Sequence, residues 1–505
     1  MKKNLKTLLA QTDVPGIRRS YKMKEFDLPA LKKQMPLCVD LDDTLLKTDL
    51  LWESILSLLK EKPWMIFKLA AWLLAGKVTF KNEIAKRVRV NPEILPYREK
   101  VIDFLKAEKK DGREIVLATA SHISQVAPIA EHLALFDAVV ATDETENLIG
   151  RRKAEKLAQL YGEKGFDYIG DSVADLRVWE KANNAFLVNP SVSLKRQAEK
   201  LAKVSAVFQD PKIPRLQVFA KAIRVHQWVK NLLIFLPMVL AHRFFEVELL
   251  TRAVWAFISF SFCASSVYLL NDLFDLDSDR LHPSKRFRPL ASGNIPIPTA
   301  LILSLSLLTA SFIGAFLLLS ADFLAVLAAY FILTTSYSLL LKRLVLVDVF
   351  VLAGLYAYRL HAGSVATQVP VSEWLLAFSM FFFLSLAFVK RYTELHKLSR
   401  SDVAQASGRG YFIADLDVIR SLGTASGYIS VLVLALYISN PQVRHLYEKA
   451  IYLWFLVPAL LYWKTKLWLL AHRGKLDDDP VVAAIKDPLT YVLLLVIAVI
   501  MTCSI

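Results

Sequence analysis

Long apolar runs dominate residues 225–505 and constrain this half of the chain more than any other feature of the sequence. A helix that crosses a bilayer needs about 20 consecutive, mostly apolar residues. We therefore predict an all-α bundle of nine transmembrane helices, of which the first and eighth are the weakest because they are short or flanked by charge. The predicted spans lie near residues 228–242, 252–271, 299–319, 322–341, 346–363, 373–389, 418–439, 449–463 and 488–505.

The loops between these runs alternate in charge. Cations cluster after the second, fourth, sixth and eighth runs, whereas "GSVATQVPVSE" after the fifth run has none. Positive loops stay on the cytoplasmic side, so we predict a multi-pass protein of the inner (cytoplasmic) membrane with a cytoplasmic N-terminal domain and an outside C-terminus. The net charge of +15 then favours the lipid bilayer and a phosphorylated substrate over nucleic acid as partners. The sequence predicts no particular oligomeric state.

Residues 35–205 predict a separate α/β domain, after an N-terminal extension (1–34) and before a linker (206–224). Short apolar stretches alternate with helical ones, which is typical of a doubly wound parallel sheet. The interval from about 49 to 100 is predicted to be a helical cap. Its stretch "PWMIFKLAAWLLAG" is too short for a span, and it fits either a helix that leans on the membrane or substrate lipid or an ordinary core helix. The predicted strands are the start of "PLCVDLDDT", "EIVLATAS", "DAVVATDE", "FDYIGDS" and "AFLVNP".

Polar residues stand at the ends of these predicted strands. Asp40, Thr119 and Asp171 fall at C-terminal strand ends, where doubly wound sheets place their sites. Together with nearby residues they resemble the motifs of haloacid dehalogenase-type (HAD) phosphatases, in the family's order, over roughly residues 35–205. The matching residues are Asp40, Asp42 and Thr44 in "DLDDT", Thr119 (or Ser121), Lys153 (or Lys156) in "GRRKAEKL", and Gly170 to Asp175 in "GDSVAD".

This resemblance implies a phosphoryl-transfer site. Asp40 would act as the nucleophile that accepts a phosphoryl group, and Asp42 would protonate the leaving oxygen and then activate water. A Mg²⁺ ion held by Asp40, Asp171 and the main-chain carbonyl of Asp42 would offset charge between nucleophile and phosphate. The remaining implied roles are binding of phosphoryl oxygens by Lys153 and Thr119, and orientation of Lys153 or support of the metal by Asp175.

A second acidic motif stands at the end of the second predicted span, in "VYLLNDLFDLDSDRLHPSKRFRPLASG". Successive helical residues turn by about 100°, so Asn271, Asp272, Asp275 and Asp279 share one arc while Asp277 points away. Ionised groups are expensive at a bilayer, and carboxylate and amide oxygens suit Mg²⁺. We therefore predict a metal site at Asp272, Asp275 and Asp279, with the nearby cations Lys285, Arg286 and Arg288 available for phosphate charge.

The pattern NDxxDxxxD resembles the UbiA-type intramembrane prenyltransferase superfamily over about residues 215–505. The resemblance implies nine helices and Mg²⁺-dependent binding of a diphosphate at Asp-rich motifs. Several stretches are similar to the branch of polyprenyl-phosphate (decaprenyl-phosphate) phosphoribosyltransferases. They are "HQWVKNLLIF", "HPSKRFRPLASG", "VDVFVLAGLYAYRLHAGSVA", "FVKRYTEL" and "GRGY".

One departure from ordinary prenyltransferases supports this branch. Their second Asp-rich motif has paired carboxylates about four residues apart, but Leu352 occupies the matching position after Asp348. Cations follow instead, including Arg409, and they suit a co-substrate with a second phosphate, such as phosphoribosyl diphosphate. The candidates for substrate binding are Asn271, Lys230, Lys285, Arg286, Tyr337, Lys342, Asp348, Arg359, Lys390 and Arg391. The segment "LDDDPVVAAIKD" fits a further loop contact or an exposed acidic turn.

The two resemblances together imply a bifunctional enzyme. The transferase would move 5-phosphoribose to a polyprenyl phosphate, and the phosphatase would hydrolyse a phosphate monoester, such as the 5-phosphate of that product. In one alternative, the membrane half moves an isoprenoid from its diphosphate to an aromatic or other acceptor. In another, the soluble half is an inactive docking or regulatory module. A transporter or channel is a remote third alternative, which the phosphate-handling loops argue against.

Overall fold

A computed structural model describes residues 34–144, 146–399, 410–441, 447–476 and 487–504. Its contacts group the chain into two compact units. One unit comprises the described residues up to Thr44, with Glu99–Ala120 and Leu133–Phe208. The other comprises Leu45–Arg98, Ser121–His132 and the described residues from Gln209 onward. The contacts thus assign the interval 45–98 to the unit of the apolar helices, and the domain limits predicted from the sequence remain predictions.

Six strands form one sheet in the order β3-β2-β1-β4-β5-β6. The pairs β1–β2, β1–β4, β4–β5 and β5–β6 are parallel, so the predicted doubly wound α/β fold is confirmed. Strand β6 was not predicted, because its alternation of half-buried and exposed residues gives a weak apolar signal. The strands are β1 (Leu37–Val39), β2 (Ile115–His122), β3 (Ala138–Thr142), β4 (Asp167–Gly170), β5 (Asn184–Val188) and β6 (Lys203–Phe208).

Among the described residues between β1 and residue 222, nine segments are α-helices. They are α1 (Leu50–Glu61), α2 (Met65–Leu74), α3 (Lys77–Ala85), α4 (Glu99–Lys110), α5 (Ile123–Leu133), α6 (Arg151–Tyr161), α7 (Leu176–Lys181), α8 (Val192–Leu201) and α9 (Arg215–Ala222). The first three occupy the interval predicted as a cap. Of the others, α4, α6, α7 and α8 belong to the unit of the sheet, and α5 and α9 belong to the unit of the apolar helices.

Ten further α-helices lie in the described part of the apolar half. They are α10 (Leu236–Leu240), α11 (Val247–Phe274), α12 (Leu276–Leu281), α13 (Ile297–Leu318), α14 (Ala321–Leu339), α15 (Val347–Thr367), α16 (Glu373–Leu398), α17 (Leu416–Ser439), α18 (Leu456–His472) and α19 (Pro488–Ser504). Short 3-10 helices cover Pro92–Ile94, Val173–Asp175, Val225–Phe235, Lys285–Phe287, Leu341–Arg343, Ile413–Asp415 and Ala450–Phe455.

The sheet has a continuous apolar core, which fixes the positions of the polar residues at its strand ends. Cys38 of β1 pairs with Val116 of β2 and with Tyr168 of β4. All three side chains are fully buried and pack with Trp179 of α7. Because the middle strand is short and completely buried, the chain leaves the sheet at Asp40 and must place that residue at the sheet's carboxyl edge.

Six helices among the described residues are long and apolar enough to cross a membrane, and the chain is a multi-pass membrane protein. They are α11, α13, α14, α15, α16 and the segment Ile413–Ser439, which contains α17. The sequence predicted nine spans, so three differ. The first is a 3-10 helix followed by the short α10, which carries Pro237 in its first turn. The ninth is α19, which has 17 residues.

The eighth predicted span differs most. Its start at residues 449–455 is largely the 3-10 helix Ala450–Phe455, and α18 then continues beyond the predicted end to His472. Lys464, which the prediction excluded, is buried and donates to the main-chain oxygen of Phe382 at 2.8 Å. A lysine with a carbonyl partner and a long apolar stem can remain inside a helical bundle, so hydropathy alone ended this helix too early.

Two candidate active sites

The first candidate site is built around Asp40, at the carboxyl end of β1. The main-chain N–H of Asp40 donates to Ile169 of β4 at 3.0 Å, and the N–H of Leu41 donates to its Oδ1 at 2.9 Å. Lys153 of α6 donates from Nζ to its Oδ2 at 2.8 Å. The nucleophile and the lysine of the predicted set are therefore in direct contact. The alternative lysine, Lys156, pairs instead with Glu146 at 3.1 Å.

Asp175 organises the loop that follows β4. Its carboxylate accepts hydrogen bonds from the N–H groups of Asp171 and Ser172 at 3.2 and 3.1 Å, and from the hydroxyl of Ser172 at 2.9 Å. The loop passes so close that a Cβ on Gly170 would lie 2.8 Å from Cγ of Asp175. Glycine at position 170 is thus a steric requirement of this loop.

Tyr168 connects Asp175 to the lysine. Its hydroxyl donates to Oδ1 of Asp175 at 2.9 Å and accepts from Nζ of Lys153 at 2.8 Å. The carboxylate of Asp175 lies 3.6 Å from the same Nζ atom. The sequence analysis missed Tyr168, although it offered one signal: a buried tyrosine two residues before Gly170 in an apolar strand needs a partner for its hydroxyl.

Two threonines bind the remaining acidic side chains. Thr44 donates to Oδ1 of Asp171 at 3.0 Å. Thr119 lies inside β2, because the strand continues to His122 and does not end where the sequence predicted, and it donates to Oδ2 of Asp42 at 3.3 Å. The turn at Asp42 and Asp43 leaves helical geometry, and Asp43 takes a left-handed φ of 53°. This turn allows Asp40 and Asp42, which are two positions apart in sequence, to reach the same site. The contact of Thr119 favours it over Ser121 as the second motif residue.

Three carboxylates crowd together at this site. One oxygen each from Asp40, Asp171 and Asp175 lies within 4.8 Å of the others. Burial, then the charges of Asp175 and Asp40, raise the pKa of Asp171 to about 8. Burial also raises the pKa of Asp40, against the lowering effect of Lys153. The carboxylate oxygens of this site repel one another and surround one lysine. Oxygen donors in such an arrangement suit a divalent cation. Asp40, Asp171 and the carbonyl of Asp42 remain the predicted ligands, and Asp175 lies beside them with a carboxylate that already accepts hydrogen bonds from the loop.

The second candidate site lies where α11 ends and α12 begins. Asp275 stands at the junction with φ −90° and ψ 9°, yet the N–H groups of Asp275 and Asp279 still bond to carbonyls four residues earlier, both at 2.8 Å. Asp272 and Asp279 are buried and share Nη1 of Arg288, at 3.1 and 2.5 Å. Asp277 faces elsewhere and pairs with Lys60 at 2.9 Å.

Asp275 belongs to a different polar group from Asp272 and Asp279. Lys342 donates to Oδ2 of Asp275 at 2.8 Å and to the amide oxygen of Asn271 at 3.2 Å. The amide of Asn271 also donates to Asp275, at 3.0 Å. The sequence predicted one shared face for Asn271, Asp272, Asp275 and Asp279. In the described part of the chain, the group of three carboxylates within 4.8 Å of one another is the one at Asp40. The second site consists of two separate groups, one paired with Arg288 and the other with Lys342.

Arg224 completes the second site. Its Nη2 donates to Oδ1 of Asp272 at 2.5 Å, and its guanidinium lies over the ring of Tyr268, 4.8 Å from the centroid. The residue has a left-handed φ of 52° at the start of the 3-10 helix Val225–Phe235. The sequence analysis did not select Arg224, although a lone arginine immediately before an apolar run was visible in the sequence.

Asp348 and Arg391 form a buried pair. Arg391 donates to Oδ2 of Asp348 at 2.5 Å, and the hydroxyl of Tyr411 donates to Oδ1 at 2.5 Å. The Asp348 side chain is 0% exposed and that of Arg391 is 1% exposed. Tyr337 lies 3.5 Å from Arg391. Three predicted substrate-binding residues therefore meet, and Asp348 is already fully engaged by an arginine and a tyrosine.

Arg359 lies in another buried polar group, on α15. It donates to the amide oxygen of Asn231 and to the hydroxyl of Tyr330, both at 2.8 Å. Tyr356 lies beside both predicted cations of this region: the charge of Lys230 is 5.7 Å and that of Arg359 5.5 Å from its ring centroid. The backbones pack tightly here, since a Cβ on Gly363 would lie 2.1 Å from the Ile234 oxygen.

Three further predicted cations lie on a 3-10 helix and on α16. Lys285 and Arg286 are exposed on a 3-10 helix, and Lys390 is half-buried about two turns before the end of α16. Arg409 and positions 477–486 of the acidic segment "LDDDPVVAAIKD" lie outside the described residues. The predicted contacts of Arg409 and of this acidic segment with substrate remain predictions.

Comparison with known proteins assigns the two halves of the chain to two families. Residues 232–486 match the model of the UbiA prenyltransferase family, and residues 37–180 match that of the haloacid dehalogenase-like hydrolases. The chain therefore belongs to the UbiA prenyltransferase family and carries a HAD-like hydrolase domain before its membrane helices.

Three relatives cover different parts of the chain. The protein y4nM of Sinorhizobium fredii is 35% identical, over 93% of this chain and 91% of its own length. The nodulation protein NoeC of Azorhizobium caulinodans is 33% identical, over 57% of this chain and 92% of its own. The decaprenyl-phosphate phosphoribosyltransferase of Mycobacterium tuberculosis is 39% identical over 188 residues, which are 36% of this chain and 62% of that enzyme.

Proposed function

We propose that the chain is a bifunctional enzyme whose membrane half transfers 5-phosphoribose from phosphoribosyl diphosphate to a polyprenyl phosphate. The 39% identity with a decaprenyl-phosphate phosphoribosyltransferase carries this choice of substrates. Two observations support it. Leu352 stands where an ordinary second metal motif has its other carboxylate, and Asp348 is bound to Arg391 in a buried pair. Asp348 therefore does not belong to an ordinary second metal motif.

In the proposed transfer, a phosphate oxygen of the lipid forms a bond to C1 of the ribose while the bond from C1 to the diphosphate oxygen breaks. Asp272, Asp275 and Asp279 would hold Mg²⁺, which would supply positive charge against the leaving diphosphate. Lys342 and Arg288 already contact these carboxylates, so they are in position to bind diphosphate oxygens beside them. Stabilisation of the leaving group by fixed cations is the main catalytic contribution we assign to this half.

The soluble half, in our proposal, hydrolyses a phosphate monoester. The contact of Lys153 with Asp40 at 2.8 Å is the observation that carries it. Asp40 would form a bond to phosphorus as the ester oxygen leaves with a proton from Asp42. Asp42 would then take a proton from a water molecule whose oxygen bonds to phosphorus, while the bond between phosphorus and Asp40 breaks and inorganic phosphate is released. Lys153 and Thr119 would bind phosphoryl oxygens, while Tyr168 and Asp175 orient the lysine. A Mg²⁺ ion at Asp40 and Asp171 would lower the charge repulsion on entry of the phosphate.

The two reactions would follow one another on one lipid. The transferase product still carries a 5-phosphate, which is a monoester, and its removal would leave a polyprenylphosphoryl ribose. Sequential steps gain from tethering because the effective concentration of the second site is raised. We place both sites on the cytoplasmic side of the inner membrane, from the basic loops.

Mass spectrometry of lipid products tests both halves. Purified full-length protein receives phosphoribosyl diphosphate, a polyprenyl phosphate and Mg²⁺. Wild type should yield dephosphorylated lipid-linked ribose, and Asp40→Asn should accumulate the 5-phosphorylated lipid. Asp111→Asn, a change at an exposed carboxylate of the same unit, serves as the control. Equal accumulation of 5-phosphorylated lipid in wild type and Asp40→Asn would contradict the coupling.

A matched pair of variants tests the transferase site alone. Asp275→Asn should abolish lipid-linked ribose, whereas Asp277→Asn on the adjoining turn should leave it nearly unchanged.

Loss of Mg²⁺-dependent hydrolysis of a generic phosphate ester in Asp40→Asn would exclude an inactive soluble module.

An isoprenoid transferase is the second candidate, favoured by the match to a prenyltransferase family model over residues 232–486. An assay with an isoprenyl diphosphate and a panel of aromatic acceptors distinguishes this function from phosphoribosyl transfer. Isoprenylated product with no ribosylated lipid would replace the phosphoribosyl assignment.

A further inference from the structure

Helix α2 has an exposed apolar surface that the two reactions do not use. Phe67 is 78% exposed and Leu74 is 90% exposed, and Trp64, Ile66 and Leu73 are each more than half exposed. Burial of such side chains is favourable by about 25 cal/mol per Å². An apolar surface of this extent on one helix indicates an interaction site.

Only one side of α2 is covered by its neighbours in the described unit. Met65 and Leu69 are buried in a small core with Leu58 of α1, Ile84 of α3 and Val88. This core holds the helix in place on two neighbouring helices. The outward side is therefore displayed on a fixed support, and the helix itself is too short to span a bilayer.

The neighbouring helix α1 places this surface near a membrane boundary. Trp52 and Leu56 of α1 pack against the core formed by Leu269 and Leu273 of α11 and Leu276 of α12. Lys60, at the last turn of α1, pairs with Asp277. Since α11 is a candidate span that ends at Phe274, α2 begins four residues after α1 at the level where a bilayer interface would lie.

The charge of the segment is strongly one-sided. Residues 60–89 contain eight basic residues and two acidic ones. Lys62, Lys68 and Lys77 are exposed at the two ends and on the surface of α2. The charge of Lys68 also lies 5.6 Å from the Trp64 ring centroid. Exposed aromatic and aliphatic side chains bordered by lysines are the composition of helices that lie in the headgroup region.

We propose that α2 is an interfacial helix, which inserts Trp64, Phe67 and Leu74 into the bilayer leaflet beside the Asp-rich motif and binds anionic lipid headgroups through the surrounding lysines. Apolar insertion supplies attachment and the lysines supply preference for anionic lipid. This inference stands apart from the proposed reactions, because it requires neither site to be active.

A fluorescent label on α2 tests the inference in the full-length protein. The background is Cys503→Ser, which removes the exposed native thiol, since Cys38 and Cys263 are buried. An environment-sensitive NBD label is attached at Phe67→Cys, or at Leu74→Cys if the first variant does not fold. Glu93→Cys, exposed on the 3-10 helix of the same segment, is the matched control. Each protein is placed singly in nanodiscs of phosphatidylcholine, with or without phosphatidylglycerol and brominated lipid.

The expected result is a blue-shifted emission at position 67 that brominated lipid quenches, more strongly with phosphatidylglycerol than without. Position 93 should show neither effect. Replacing Lys62, Lys68 and Lys77 with Gln should remove the dependence on phosphatidylglycerol and leave part of the quenching. Identical spectra at positions 67 and 93 in both lipid mixtures would overturn the inference. Quenching that appears only after addition of polyprenyl phosphate would also overturn it, and would assign the surface to substrate lipid.

Discussion

Glu53 and Arg280 form a buried, two-armed ion pair within the unit of the apolar helices. Nη2 and Nη1 of Arg280 donate to the two carboxylate oxygens of Glu53 at 2.6 and 3.1 Å, and Thr48 donates to the same carboxylate at 2.8 Å. The two charged side chains are 6% and 8% exposed. Because Arg280 follows Asp279 directly, this pair attaches α1 to the Asp-rich turn.

Breaking this pair should destabilise the membrane unit. Glu53→Gln leaves Arg280 buried without a compensating charge, and removal of one partner of a buried pair costs about 3–5 kcal/mol. Lys60→Gln removes the more exposed pair with Asp277 and should cost less than about 1 kcal/mol. Thermal unfolding in detergent or nanodiscs compares the two variants. Equal midpoints for both would contradict a structural role of the buried pair.

Lys153 and Lys156 should differ sharply in their effect on phosphate-ester hydrolysis. Lys153→Met removes the cation in contact with Asp40, and loss of one such stabilising group lowers kcat by about 10²–10³-fold. Lys156→Met removes only the partly exposed pair with Glu146. Steady-state hydrolysis of a generic phosphate ester with Mg²⁺ measures both. A large loss in Lys156→Met with activity retained in Lys153→Met would reverse the assignment.

Stability of the soluble domain should depend on pH through Asp171. Its pKa of about 8 in the folded chain lies far above about 3.9 in an unfolded chain. Between these values the folded state binds more protons, so without a cation the free energy of unfolding should fall as pH rises through this window. A divalent cation favours the deprotonated form and should stabilise more at about pH 8.5 than at about pH 6.

Unfolding of the full chain in EDTA and in Mg²⁺ at these two pH values checks this prediction. Asp171→Asn should flatten the pH dependence in EDTA and reduce the stabilisation by Mg²⁺. A wild-type midpoint that rises from pH 6 to pH 8.5 in EDTA, while that of Asp171→Asn does not, would contradict the sign.

Lys342 and Arg343 offer a matched comparison at the transferase site. Lys342 contacts Asp275 and Asn271, whereas Arg343 is exposed on the same short helix. A hydrogen bond to a charged group contributes about 1.5–3 kcal/mol, so Lys342→Gln should raise the KM for phosphoribosyl diphosphate by about tenfold or more. Arg343→Gln should change it little. The measurement is the initial rate of lipid ribosylation against the concentration of phosphoribosyl diphosphate.

The order of the motifs carried most of the information about the soluble site. Asp40, Thr119 and Asp171 were selected from predicted strand ends, and Lys153 from the resemblance to the HAD motifs. The structure brings Asp40, Lys153 and Asp171 close together. Tyr168 was missed because a tyrosine in an apolar strand satisfies the strand pattern without revealing the partner of its hydroxyl. The partner lies on α6, fifteen residues away in sequence.

The membrane site was predicted less completely. Helical periodicity correctly separated Asp277 from its neighbours, because that property depends only on spacing along one helix. It did not predict that Asp272 and Asp279 pair with Arg288 while Asp275 pairs with Lys342. Lys342 stands 67 residues beyond Asp275, and no local pattern specifies such a contact.

The sequence by itself determined the two-part composition, the strands that bear the phosphatase motifs and six of the nine predicted spans, because hydrophobic periodicity is a local property. Only the tertiary structure decided which cation meets which carboxylate, and that Asp348 is closed off by Arg391 and Tyr411. Most of these pairings join residues that are tens of positions apart or more. Buried charges require partners, but the packing of the helices determines which partners are within reach.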